Sequence, residues 1–186
     1  LDSVGIENID FVKIDVQGYN LEVLRGASNS LKKCFGLEIE CEFKEIYKNQ
    51  SMFNEIELFL NDNNFELIDF LDIVRWNQTH NNSYKENKNQ GEIVFVNALF
   101  IKKNLIEEVK DLDSFKKLIL ILINFGQFAK ANFLIDLFRE NYNLSKEFNN
   151  GLKILSNSIK KMEKINKFFF LISKLFGSEF QTIILK

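Results

Sequence analysis

The chain of 186 residues has no proline, two cysteines, one histidine and one tryptophan, and its 24 basic and 26 acidic side chains leave a net charge of only −2. Each scarcity removes a class of function. Cys34 and Cys41 are too few for a disulfide framework and stand neither in a C-x-x-C spacing nor beside a histidine. They read as small buried apolar groups in a reducing compartment, and a cytoplasmic location is expected. His80 stands alone in an Asn-rich stretch, which leaves no histidine-based metal site and no Ser-His-Asp triad. The lysines are scattered among acids, so nucleic acid finds no electrostatic footprint. Long apolar runs are missing too. Leu118 to Ile123 and Phe168 to Ile172 fall far short of the ~20 residues that a membrane span requires.

What is present is a hydrophobic content of 46% with 20 Phe, ample for the core of one ordinary domain with an appendage. The most informative stretch is Ile9 to Gly18, where a strand signal, a turn signal and a charge problem coincide. Phe11, Val12, Ile14 and Val16 form the nearly continuous apolar run of a central parallel strand covered on both faces. Asp15 closes the run and Gly18 opens a turn. In open α/β sheets ligands bind beyond the carboxyl ends of the strands, so Asp15 faces the place where a substrate or cofactor sits. Lys13 lies on the same face, and a mutual neutralisation of Lys13 and Asp15 at the sheet rim is an equally open reading.

IDFVKIDVQGYNLEVLRGA as a whole resembles the motif of the FkbM-type methyltransferases, which reads roughly DFLKIDVEGAELEVLKGA. Asp10, Phe11, Lys13, Ile14, Asp15, Val16, Gly18, Leu21, Glu22, Val23, Leu24, Gly26 and Ala27 stand where the family has them, and Leu1-Asp2-Ser3 is similar to its TLDSL segment. Gln17, Tyr19 and Asn20 depart from the commoner acidic and small residues. The resemblance implies the C-terminal half of a Rossmann-like methyltransferase sheet. It also implies S-adenosylmethionine as cofactor and methyl transfer to an acceptor oxygen on a small molecule or glycan. Asp15 is then expected to be catalytic and to bind cofactor together with Gly18.

Apolar residues Leu21, Leu24, Ala27 and Leu31 give the helical spacing of a crossover, with a break near Gly26. FGLEIECEF then alternates strictly, placing Phe35, Leu37, Ile39, Cys41 and Phe43 on one face and Glu38, Glu40 and Glu42 on the other. Burying unpaired carboxylates costs several kcal/mol each, so the Glu face must meet water, cations or a polar cleft. Glu38 reads as solvated. Glu40 sits where the resembled family carries an acid, and with Asp15 it is expected to form a two-acid site at the ends of adjacent parallel strands, orienting the acceptor or an optional cation. The matching continues through Tyr47, Gln50, Phe53, Phe59, Leu60 and Phe65. A helix over Met52–Leu60 is expected with Ser51 as its cap and Asn63 or Asn64 at a left-handed end. Tyr47 lines the site or serves as packing.

Phe65 to Ile73 and Ile93 to Ile101 read as strands, and the sheet order that the resemblance implies puts the second antiparallel between the Phe35 strand and the Phe65 strand. The polar stretch from Trp76 to Gln90 reads as a loop, with Arg75 and Trp76 at its base either gripping the acceptor or packing on the sheet edge. The resemblance stops at Lys102-Lys103-Asn104, giving an expected division into 1–103, a partial methyltransferase domain, and 104–186, an all-α helical region. In the latter, Asp113 or Ser114 caps a helix ended by Gly126, and a second helix carries Phe128, Ala131, Leu134, Ile135 and Phe138. A third has a seam of Phe148, Leu152, Leu155, Ile159 and Met162. The apolar C-terminal segment from Phe168 is expected to dock within the chain on the bundle, with a partner or a membrane surface as the alternatives, and the helical tail is a candidate for self- or partner association.

Because the chain opens in the middle of the resembled domain, it reads as a fragment. No two of its glycines stand closely enough for a G-x-G turn, so it is expected not to bind S-adenosylmethionine by itself, and the Asp10 strand is expected to be an unprotected apolar edge. The competing reading is a non-catalytic scaffold, a degenerate methyltransferase half carrying a helical interaction region.

Overall fold

The computed structural model describes residues 1–6, 8–78, 84–86, 90–109, 111–142, 144–162 and 182–185. In chain order these form β1 (Phe11–Ile14), α1 (Asn20–Arg25), β2 (Gly36–Glu42), α2 (Phe53–Asp62), β3 (Phe65–Gln78), β4 (Tyr84–Glu86), β5 (Glu92–Lys102), α3 (Leu105–Glu108), α4 (Leu112–Asn124), α5 (Phe128–Asn141), α6 (Lys146–Met162) and β6 (Thr182–Leu185). The architecture is mixed α/β. Residues 1–103 and β6 make one compact unit, and a helical unit begins at Asn104.

The sheet order is β4-β3-β5-β2-β1-β6. β1 and β2 are parallel, with Lys13 opposite Glu38 and Ile14 opposite Ile39. β5 lies antiparallel between β2 and β3, as the sheet order implied by the resemblance predicts. The apolar sides of α1 and α2 join Val12, Ile14, Leu37, Ile39, Cys41, Val96, Ala98 and Phe100 in one buried core. This two-residue alternation forces Lys13, Glu38, Glu40 and Glu42 onto the opposite face. α1 stops at Gly26 and a short 3-10 turn over Ser30–Lys33 follows, so the break expected near Gly26 is present. Asp2 explains the N-terminal part of the motif. Its carboxylate accepts from the amides of Asn29 and Ser30 at 2.9 and 2.8 Å and from the Ser30 hydroxyl at 2.7 Å, fastening the chain start to that turn.

Several expectations are corrected. β1 is not an open edge, because Thr182–Leu185 pairs with it in parallel, Phe11 opposite Thr182 and Ile14 opposite Leu185. An apolar strand with unpaired N–H and C=O groups is a template for another strand, and this chain supplies one itself. The C-terminal region is therefore not all helix, and these four residues lie on the sheet. The segment 163–181, which includes Phe168, is outside the described residues. β3 runs through Arg75 and Trp76 to Gln78 and pairs with Tyr84–Glu86, so the polar stretch starts as strand rather than loop. Three register shifts between β3 and β5 interrupt the alternation that would have announced so long a strand.

Helix caps differ by a residue or two from the expectations. At α2 the cap is Met52, not Ser51, and its amide donates to the Glu55 carboxylate at 2.9 Å. Asn64 takes the left-handed backbone after α2, with φ 69°. At α4 the cap is Asp111, whose carboxylate accepts from the Ser114 amide at 2.8 Å, because that pair satisfies two end amides reciprocally. Within the helical unit α5 packs on α4 and α6. Leu152 and Ile159 of the seam are buried, and between them the Ser156 hydroxyl donates to Asn132 at 2.9 Å, a buried polar pair that sets the register of α6 on α5.

Candidate functional site

The site forms where β1 runs out. After Ile14 the chain passes Asp15 and Val16 and turns on two successive left-handed residues, Gln17 at φ 48° and Gly18 at φ 87°, before α1 begins. A side chain at Gly18 would be strained by that backbone, and its first atom would meet the Tyr47 ring at 3.1 to 3.3 Å. Gly18 therefore lets the loop after β2 close over the loop after β1. Tyr47 is held there by Gln50, whose side-chain oxygen accepts from the Ile46 and Tyr47 amides at 2.9 and 2.6 Å.

Asn20 joins the two strands. Its side chain is buried, accepts from the Val16 amide at 3.1 Å and donates to the Glu40 carbonyl at 2.9 Å. A carboxylate here would supply no such donor, so the asparagine makes a neutral clamp. Asn20→Ala is expected to cost about 2 kcal/mol, because it strands one buried donor and one buried acceptor. Urea denaturation with an unchanged slope would measure it, and a loss within about 0.5 kcal/mol would mean that water replaces the clamp.

Gln17 is the hub. Its carboxamide nitrogen donates to Asp15 at 3.0 Å and reaches Glu40 at 3.4 Å, while its oxygen accepts from the Tyr47 hydroxyl. Asp15, Glu40 and Gly18, expected from the sequence, and Tyr47, for which packing was the other reading, thus come together around a residue noted from the sequence only as a departure. Burial and the neighbouring Asp15 charge push the Glu40 carboxyl up, against a smaller opposing effect of Lys13. Lys13 does not face Asp15 as an isolated pair. It forms an ion pair with Glu38 at 2.5 Å, which corrects the reading of Glu38 as merely solvated. The register places them opposite each other, and a half-buried carboxylate is held charged more cheaply beside an ammonium than without one.

Glu42 has the least expected surroundings. It is 1% exposed, and neither carboxylate oxygen has a hydrogen-bond partner among the described residues. Burial first, then the Glu40 and Asp15 charges, push its carboxyl up to about 7. The alternation Glu38, Glu40, Glu42 was the available signal, but nothing in it distinguishes a solvated third acid from an enclosed one. Across the same face Asn97, opposite Glu40 on β5, donates to Asp72 of β3 at 3.4 Å.

Arg75 and Trp76 belong elsewhere. They sit on the outer ribbon of β3 and β4, with β5 between that ribbon and β2, and Arg75 donates to the Gly91 carbonyl at 3.1 Å. Among the described residues no group of three or more His, Cys, Asp or Glu side chains is arranged to hold a metal ion. No helix among them is long and apolar enough to cross a membrane.

Residues 1–67 match the family model described as Methyltransferase FkbM domain, the family that the Ile9–Ala27 motif resembles. The matched segment contains Asp15, Gly18, Glu40, Glu42 and Tyr47 and ends at the start of β3. No curated protein and no solved structure matches the chain.

Proposed function

We propose that this protein works in S-adenosylmethionine-dependent methyl transfer to a hydroxyl of a small molecule or glycan, through the half of a Rossmann-like sheet centred on β1 and β2. The observation that carries the reading is the convergence of Asp15 and Glu40 at the carboxyl ends of adjacent parallel strands, inside the segment that matches the methyltransferase domain.

The donor set fits the cofactor in kind. S-adenosylmethionine is a cation with an ammonium group and ribose hydroxyls, and Asp15 and Glu40 offer carboxylate acceptors. When bound it supplies a methyl group on a sulfonium sulfur. Asp15 and the Gly18 turn hold the cofactor, Glu40 orients the acceptor, and Asp15 takes the hydroxyl proton as the acceptor oxygen becomes nucleophilic. Tyr47 closes the acceptor side. An acceptor long enough to reach the outer ribbon would also meet Arg75 and Trp76.

Calorimetric titration with S-adenosylmethionine of the 186-residue chain, with the full gene product beside it, tests the reading. The full product is expected to bind. The 186-residue chain is expected to show no micromolar binding, because its glycines provide no G-x-G turn for close backbone approach. Binding by neither would leave a scaffold built on a methyltransferase half. Micromolar binding by the 186-residue chain would show that the cofactor needs no such turn here.

A further inference from the structure

The ladder that holds β1 beside β2 ends at Ile14 and Ile39, so Asp15 and Glu40 stand one step beyond its last pair. On its other side Glu40 is paired with Asn97, which fixes β2 against β5 and leaves the spacing toward β1 open. Asn20 closes that gap. Its side-chain oxygen accepts from the amide of Val16, the residue after Asp15, at 3.1 Å, and its nitrogen donates to the carbonyl of Glu40 itself at 2.9 Å. Only one orientation of the carboxamide meets both partners, because an amide needs an oxygen and a carbonyl needs an N–H. Asn20 is 1% exposed, so neither bond is shared with bulk water. The Gln17 bridge differs in kind. It joins the two carboxylates from the exposed side, whereas Asn20 joins the backbones that carry them.

We propose that Asn20 is the positioning residue of the Asp15 and Glu40 pair. Its buried carboxamide takes the place of the next rung of the ladder and fixes the spacing at which a base after β1 and an acceptor-orienting acid on β2 act together. Asn20 touches neither carboxylate, so it acts through the backbone on either side. The inference rests on the methyltransferase reading for the reaction that the spacing serves, and on the hydrogen bonds alone for the spacing itself. Methyl transfer to a hydroxyl needs the proton acceptor and the oriented oxygen in place at the same moment. A misplacement of about 1 Å costs about 100-fold in rate.

The test has two arms, and the first needs no methyl transfer. In the 186-residue protein the titration of the Glu40 carboxyl carbon is followed by NMR with and without Asp15→Asn. Burial and then the Asp15 charge push this carboxyl up, against a smaller opposing effect of Lys13, so Asp15→Asn lowers the midpoint. In an Asn20→Ser background, where the hydroxyl is too short to span both strands, the same substitution is expected to lower it by less, because the acids no longer keep their spacing. An undiminished fall would overturn the proposal. In the full gene product, Asn20→Ser and Asn20→Ala are each expected to lower kcat about 100-fold with KM little changed. Leu60→Ala, which removes a fully buried core side chain of α2 and so also costs stability, is expected to keep kcat below its own melting midpoint. Equal loss of kcat in the Leu60→Ala protein, or wild-type kcat in both Asn20 proteins, would overturn the proposal as well. Coupling that depends on Asn20, in a full gene product that transfers no methyl group, would remove the methyltransferase reading and leave Asn20 as the spacer of the two acids.

Discussion

Glu42→Gln is expected to stabilise the protein by roughly 3 kcal/mol at about pH 8 and by almost nothing near pH 4. The folded-state carboxyl is pushed up to about 7, from an ordinary value of 4.5, by burial and by Glu40 and Asp15. The folded protein therefore holds this proton more tightly than the unfolded chain. Below the unfolded value both states are protonated and the group costs nothing. As pH rises from there through about 7 the folded state resists ionisation, and stability falls by about 1.4 kcal/mol for each unit of difference. Above that window both states are ionised and the loss is complete. Gln copies the neutral acid at every pH, so it removes the slope. Urea unfolding at a series of pH values reads the difference directly, and parallel curves for the two proteins would mean that the carboxyl finds a partner or reaches water. Glu40→Gln should shift the wild-type window toward lower pH, because the Glu40 charge is the second cause of the shift.

Asp15→Ala in the full gene product should reduce methyl transfer by about 100-fold or more while changing the thermal midpoint little. A positioned base is worth that much when the hydroxyl proton must leave as the new bond forms. Asp15 also lies past the last paired residue of β1, so its side chain carries none of the sheet's hydrogen bonding. Its carboxylate accepts from the Gln17 carboxamide, an exposed contact with little weight in stability. Labelled methyl transfer and a melting curve on the same preparation separate the two roles. Equal loss of activity and stability would make Asp15 a structural residue.

The strands at the centre were legible because their patterns are local. Phe11 to Ile14 is a short apolar run and Phe35 to Phe43 a strict alternation, and each needs only the pleat to be read. The site was half legible for the same reason. Asp15 and Glu40 lie near strand ends, and parallel pairing of the two strands brings them together. Gln17 was not legible as a hub, because its role depends on a left-handed backbone and on Tyr47, thirty residues away. β3 was read short since its register shifts break the two-residue period.

Residue order along a few turns of chain is enough to give the alternating faces of β2, the turn at Gly18 and the family resemblance of the Ile9–Ala27 motif. Packing between distant segments assigns which acid of the Glu38, Glu40 and Glu42 series is paired with Lys13, which is bridged to Asp15 through Gln17 and which is enclosed with no hydrogen-bond partner among the described residues. It alone decided that Thr182–Leu185 closes the edge of β1. The physical reason is common to both. Alternation assigns a side chain to a face, but the charge it meets there and the water it keeps depend on segments brought over that face from far along the chain.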